Sequence, residues 1–477
     1  MNLMDYIVAA PEITLLGLIC FVLIADLFID DENRVRTFWI SILALGTMLL
    51  VLNAIVPDAR SVIFSGSYVS DPLSQILKIA AVIFVAIAFL YSRDYLRANE
   101  IHKGEFYLLG LIGLLGMMIM MSANSMLTMY LGLETLALSM YALVAIDRNN
   151  ATSAESAMKY FILGAIASGC LLYGISWIYG VTGSLEFHEM SAAITADPSL
   201  NSLPLWFGLA FLIVGIGFKF GAVPFHMWLP DVYQGARTPV TLYIATAPKL
   251  AALALFLRIL VDGLGGLHDT WAAMIMIIAV LSLLVGNFVA IAQTNIKRML
   301  GYSTIAHVGF ILLALFTGTK QGNAVALFYT LTYVVAAAGA FGMIILLSRR
   351  GYDAENLSDF KGLNARSPWF ALMMMFLMFS MAGVPPFVGF FAKLNVISAV
   401  VDSGFTGLAV LMVLASVVGA YYYLRVIWYM YFEDAEDKAV LQASTDMRVV
   451  LSLNSVAVLA LGIVPGWLLV RCIQILG

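Results

Sequence analysis

The stretch FKFGAVPFHMWLPDVYQGA, residues 218 to 236, sets Lys219 five positions before Pro224 in a run otherwise apolar enough to cross a bilayer. A second stretch, FSMAGVPPFVGFFAKLNV at 379 to 396, repeats the device: Gly383, Pro385, Pro386 and Gly389 interrupt an apolar run and Lys393 follows. Proline removes the backbone donor that would bond one turn back. Carbonyls freed in this way are tolerated at membrane depth only where they are buried in protein or face water. Both breaks are therefore expected to line a hydrated cavity, inside a helical membrane bundle with two interrupted helices.

The rest of the chain fits that frame. Of 477 residues, 62% are hydrophobic and 11% charged, and the mean hydropathy is +0.96, far outside the mix of soluble domains. At about 20 apolar residues per crossing, the runs divide into fourteen spans, beginning near residues 9, 36, 72, 106, 124, 156, 204, 239, 271, 298, 322, 368, 404 and 449. Backbone polar groups in lipid need partners within the segment, so the fold is expected to be all-α. A net charge of −4 gives no support for nucleic-acid binding. Cys20, Cys170 and Cys472 show no paired spacing and the five histidines form no cluster, which speaks against disulfides and against iron–sulfur or haem ligation. Asp5 and Glu12 stand where a signal peptide would be basic, so the N-terminus reads as the first membrane helix.

Alternate loops, from Arg34 and Arg36 to Lys438 and Arg448, carry 15 of the Lys and Arg residues, whereas the other loops hold only Arg60 and Lys320. That bias puts the first set in the cytoplasm and both termini outside. Residues 185 to 203 hold Glu186, Glu189 and Asp197 without a basic residue, as an external loop should. No loop is long enough for a separate soluble domain.

Seven basic residues remain within spans. Lys78, Lys159, Arg258 and Arg425 sit near helix ends, where snorkelling explains a long side chain; Lys159 is placed deeply enough that snorkelling explains it less well. Lys219, Lys249 and Lys393 lie deeper, and Glu134 joins them at mid-span. Each ionised residue near a helix centre costs about 2.5 to 3.5 kcal/mol, so the four together cost roughly 10 to 14 kcal/mol before any pairing. Helix glue is one explanation, but one carboxylate cannot neutralise three lysines, and buried ion pairs are weak sources of stability. The other explanation is a proton switch: a desolvated lysine loses its proton more readily and recovers it when a carboxylate approaches, which arginine cannot do. His307, near mid-span, is a candidate relay member; His226, just past the first break, reads equally well as an interfacial residue.

The two breaks are five spans apart, and an odd interval reverses direction. Spans four to eight and nine to thirteen thus read as two inverted five-helix repeats, with interrupted helices seven and twelve. The corresponding divisions are 1–93, 94–265, 266–432 and 433–477.

These segments, together with LGLETLALSMYAL, SAESAMKYFILGAIASG and QTNIKRMLGYSTIAHVGF, resemble subunit N of bacterial NADH:quinone oxidoreductase (respiratory complex I). That subunit is equivalent to mitochondrial NADH dehydrogenase subunit 2 and is one of three antiporter-like subunits. Subunit M typically has an acidic residue where this chain has Lys393, and subunit L is longer, with a lateral helix. The resemblance implies a non-redox part of a proton-pumping translocase in a bacterial inner membrane, with both termini periplasmic. It implies partners among the other membrane subunits, especially subunit M and the small subunits beside it, besides lipid, protons and water. NADH, FMN, iron–sulfur clusters and quinone are expected in other subunits, with no cofactor in this chain. It assigns Glu134 to tuning Lys219, Lys249 to the centre of the relay and Lys393 to its outer side, with Lys159 and His307 as further members. The rival readings are a subunit of a multi-component sodium/proton antiporter and a passive assembly subunit.

Overall fold

The computed structural model describes residues 3–30, 33–57, 59–435, 441 and 443–476; Lys438, assigned above to a cytoplasmic loop, lies outside them. Among the described residues thirteen helices are long and apolar enough to cross a membrane, from Ala10–Leu27 to Thr445–Ile463. The expected count of fourteen is not reached, because the twelfth run is two helices of 15 residues each, Pro368–Ala382 and Val388–Asp402. The physical reason is local. Gly383 closes the first half at φ +87°, a left-handed conformation that disfavours a side chain. Pro385 and Pro386 then supply no backbone donor.

Helix starts are set by side-chain caps. Ser125, Asn150, Asn295 and Thr319 each accept a bond from a backbone N–H in the first turn that follows, satisfying donors that have no partner within the helix.

The described fold is mostly helical, as expected, with the addition of a small antiparallel hairpin, Ser61–Ile63 with Tyr68–Ser70, in register Ser61 to Ser70. Its turn passes through positive φ at Phe64, Ser65 and Gly66, outside the apolar runs that dominate the sequence pattern. Val69 N–H also donates to the Ser122 carbonyl at 2.8 Å, fixing the hairpin to the end of helix Gly104–Met121. The 185 to 203 loop carries a ten-residue helix, Phe187–Ala196.

The chain forms two compact units. One comprises Met1–Phe89, His102–Phe220 and Ala247–Met274. In it, helices Ala151–Thr182 and Leu203–Phe220 meet at Gly174 and Gly208: a Cβ on Gly174 would lie 2.7 Å from the Gly208 carbonyl oxygen. Small residues let membrane helices approach this closely where no hydrophobic effect drives them together.

The other unit comprises Leu90–Ile101, Gly221–Thr246 and Ile275–Gly477. Its core is the pair Ile296–Phe316 and Lys320–Leu347, buried along nearly their whole length. Helix Val388–Asp402 packs on both, which brings the second half of the interrupted run into the centre of this unit.

Candidate functional site

In the first unit, Glu134 lies on helix Met126–Val144 and accepts a hydrogen bond from Ser168 on Ala151–Thr182, while Tyr130 meets the same serine hydroxyl at 3.0 Å. Across a cavity of about 10 Å³, whose lining includes Glu134, Ser168, Gly215 and Lys219, the carboxylate and the Lys219 amine share one space. That volume is close to the lower limit for a single water. Among the described residues Lys219 makes no ion pair within 4 Å. It sits in the last turn of Leu203–Phe220, where the carbonyl end of the helix favours a cation.

Lys249 lies on the ten-residue helix Ala247–Phe256 and is buried, its amine donating to the Phe220 carbonyl at 2.9 Å. The interruption after Phe220 is what leaves that oxygen free. Helix Ala247–Phe256 continues directly into a π-helical stretch, Leu257–Gly263.

The second unit repeats the arrangement. Lys393 is buried, and its amine donates to the carbonyl of Ala382, the last residue of Pro368–Ala382, at 2.9 Å and to Ser416 Oγ at 3.0 Å. The Phe310 ring centroid stands 5.5 Å away. His307 is held on both sides, Nδ1 to Tyr329 at 2.7 Å and Nε2 to Tyr423 at 3.0 Å. A cavity of about 20 Å³ borders His307, Tyr329, Tyr333, Ser380 and Gly389.

Lys159 stands apart from these groups. Its side chain is 46% exposed and pairs with Glu155 one turn earlier at 2.9 Å.

Three basic residues expected to snorkel are instead tied into the protein. Lys78 is buried against Glu12 at 2.6 Å, with Tyr68 bonded to both. Arg258 is 2% exposed and meets Asp71 at 2.7 Å, Asp262 at 3.1 Å and the Met121 carbonyl at 3.2 Å. Asp71 lies just outside the membrane-spanning helix that follows it. Burial alone would raise its carboxyl, but the Arg258 guanidinium and the Ser74 hydrogen bonds outweigh burial and hold it below its ordinary 3.8. Arg425 caps the end of helix His268–Ile291 through the carbonyls of Ile291 and Gln293, at 2.9 and 2.6 Å. In each case a polar partner remote in sequence replaces the interface as the destination of the charge.

Sequence reasoning missed Ser168, Tyr329 and Tyr423. Hydroxyl residues are common in membrane helices and carry little signal alone. The run of three tyrosines at 421 to 423 within an apolar span was the one available cue. Among the described residues no group of three or more His, Cys, Asp or Glu side chains is arranged to hold a metal ion.

Comparison with known proteins extends beyond these side chains. The family described as NADH:quinone oxidoreductase/Mrp antiporter, TM matches residues 123–419. NADH-quinone oxidoreductase subunit N of Thioalkalivibrio sulfidiphilus is 57% identical over 467 residues, 98% of this chain and 97% of that protein. The subunit of the same name from Alkalilimnicola ehrlichii is 53% identical over 99% of this chain and 97% of that protein. Among solved structures, respiratory complex I from Thermus thermophilus with bound aureothin contains a chain 32% identical at a TM-score of 0.83, with 96% of this chain and 98% of that one covered. The Mrp complex from Dietzia sp. holds a chain of like fold, TM-score 0.85 at 20% identity, covering 99% of this chain and 97% of that one.

Proposed function

The chain belongs to the family of NADH-quinone oxidoreductase subunit N, an antiporter-like membrane subunit of complex I, and from that premise we propose that it translocates protons. Protons pass from the cytoplasm along Lys219, Lys249 and Lys393 to the periplasm, with His307 in the second unit and Lys159 as an accessory charge. Motion of the Glu134 carboxylate toward or away from Lys219 raises or lowers that amine's hold on its proton and times the transfer. NADH oxidation and quinone reduction in other subunits supply the energy, and this chain holds no cofactor of its own. The observation that carries the reading is the shared cavity of Glu134 and Lys219, since a carboxylate and an amine that face one space without being locked together are suited to switching.

The same reading counts the interrupted run 368–402 as a fourteenth crossing. It treats helices four to eight and nine to thirteen as inverted repeats, divided at 1–93, 94–265, 266–432 and 433–477. It places the protein in a bacterial inner membrane, with both termini periplasmic, beside subunit M and the small membrane subunits. In support, each of the two units holds a helix that ends at a break with its final carbonyl bound by a lysine, Phe220 by Lys249 and Ala382 by Lys393.

The test is Lys219→Arg and Glu134→Gln in the assembled complex, reconstituted into vesicles. Arginine keeps the charge but does not release its proton, so Lys219→Arg is expected to abolish coupled proton movement. Glu134→Gln is expected to slow turnover while assembly persists. Wild-type pumping in both variants would overturn the proposal. Loss of assembly with unchanged turnover per assembled complex would instead make the chain a passive assembly subunit.

A further inference from the structure

We infer that Ser303, Tyr423, His307 and Tyr329 form one hydrogen-bonded proton wire, ending at the cavity beside the break at Gly383. The inference rests on the proton-translocating reading and adds residues to it that the sequence did not single out.

A buried neutral imidazole has one donor and one acceptor nitrogen, and each needs a partner. Here each ring nitrogen meets a tyrosine hydroxyl, Nδ1 at 2.7 Å and Nε2 at 3.0 Å. The Tyr423 hydroxyl in turn bonds Ser303 Oγ. All four residues are buried, so bulk water does not short-circuit the chain. A hydroxyl both donates and accepts, as does a neutral imidazole through its two nitrogens. Carbonyl partners would fix the polarity of the chain; hydroxyl partners let it run either way.

The far end opens where a proton can leave. Tyr329 borders the cavity of about 20 Å³, with Tyr333, Ser380 and Gly389, a volume that admits one water. Ser380 precedes by two residues Ala382, whose carbonyl holds Lys393. Tyr333, its ring centroid 4.9 Å from that of His307 and its hydroxyl 2.7 Å from Thr304 Oγ1, walls the imidazole on the same side.

The transfer balances bond for bond. Starting from the Nδ1–H tautomer, the Ser303 hydroxyl passes its proton to the Tyr423 oxygen as that hydroxyl passes its own to Nε2. Nδ1 then releases its proton to the Tyr329 oxygen, whose original proton departs into the cavity. The incoming proton of the proposed relay is delivered to the Ser303 oxygen, so each group of the wire gains one proton for the one it releases, and the imidazole is left as the Nε2–H tautomer. Rotation of the hydroxyls and return of the tautomer reset the chain.

The experiment uses the whole complex in vesicles with Tyr423→Phe and Tyr329→Phe, which keep the rings and delete the hydroxyls. NADH-driven proton uptake, turnover and the solvent deuterium isotope effect are measured, and assembly is followed on native gels. Positioned proton transfer contributes roughly 10²-fold or more to a rate. With water partly replacing a lost hydroxyl, coupled turnover is expected to fall at least about fivefold with an altered isotope effect. Combining Tyr423→Phe with His307→Gln is expected to add no further loss, because one wire is broken once. Should a phenylalanine variant fail to assemble, Ser303→Ala removes the terminal hydroxyl with less repacking and is expected to show the same isotope signature. Wild-type turnover and isotope effect in these variants, alongside slow Glu134→Gln, overturn the wire and leave the wider reading standing. If Glu134→Gln and Lys219→Arg are also wild-type, the wider reading falls with it.

Discussion

The Lys249 amine caps the end of helix Leu203–Phe220 by donating to the Phe220 carbonyl at 2.9 Å. The last carbonyls of a helix lack intrahelical partners and carry its negative pole, so an ammonium group satisfies both the bond and the dipole. Lys249→Met deletes the donor and leaves a buried oxygen unpaired, at a cost of about 1 to 3 kcal/mol. The melting temperature of the assembled complex is expected to fall together with coupled turnover. Unchanged melting would show that the amine does not secure the break.

Gly383 is the corresponding weak point in the second unit. Its φ is +87°, and an added Cβ would lie 3.0 Å from Lys393 Cδ. Gly383→Ala therefore incurs left-handed strain of roughly 1 to 2 kcal/mol and pushes on the Lys393 stem. Lower thermal stability and slower proton pumping are expected in the same variant. Proton uptake equal to wild type would mean that Lys393 is not sensitive to its seat.

Asp71 and Arg258 form a buried pair in the first unit. Asp71→Asn leaves the guanidinium with Asp262 alone as its charge partner, at 3.1 Å, and is expected to destabilise the protein by at most about 3 to 5 kcal/mol. The folded-state value of Asp71 lies below its ordinary 3.8, so its contribution is present above the unfolded value. It is lost as pH falls below that ordinary value toward the depressed folded one. Thermal scans in mild detergent across that acid window should show wild type and Asp71→Asn converging as pH falls.

Glu12 and Lys78 offer a double-mutant cycle. Removing either partner alone strands a buried charge, at about 3 to 5 kcal/mol. Replacing both with Gln and Met is expected to cost far less than the sum of the two single changes. Additive losses would show that the two groups do not act as a pair.

The helices were legible because apolar runs of about 20 residues leave the backbone little alternative in lipid. Both interruptions were legible from Pro224 and from Gly383 with Pro385 and Pro386. What the letters did not disclose was where each charge goes. Lys78 finds Glu12 66 positions away, and Arg258 finds Asp71 at a separation of 187 residues; no helical period connects such pairs. Nor did the sequence disclose that the freed carbonyls of Phe220 and Ala382 meet lysine amines. The hairpin at 61–70 was missed because a ten-residue segment of mixed polarity carries no weight beside neighbouring hydrophobic runs.

Because each helix that ends at a break has its last carbonyl held by an amine, stiffness at that end and charge at that end are a single variable. A charged donor is worth roughly 1.5 to 3 kcal/mol and a neutral one about 0.5 to 1.5 kcal/mol, so under the proposed relay a departing proton would loosen the clasp and a returning one would tighten it. Mechanical pull on either rod would by the same token be felt as a change in how firmly nitrogen keeps its hydrogen.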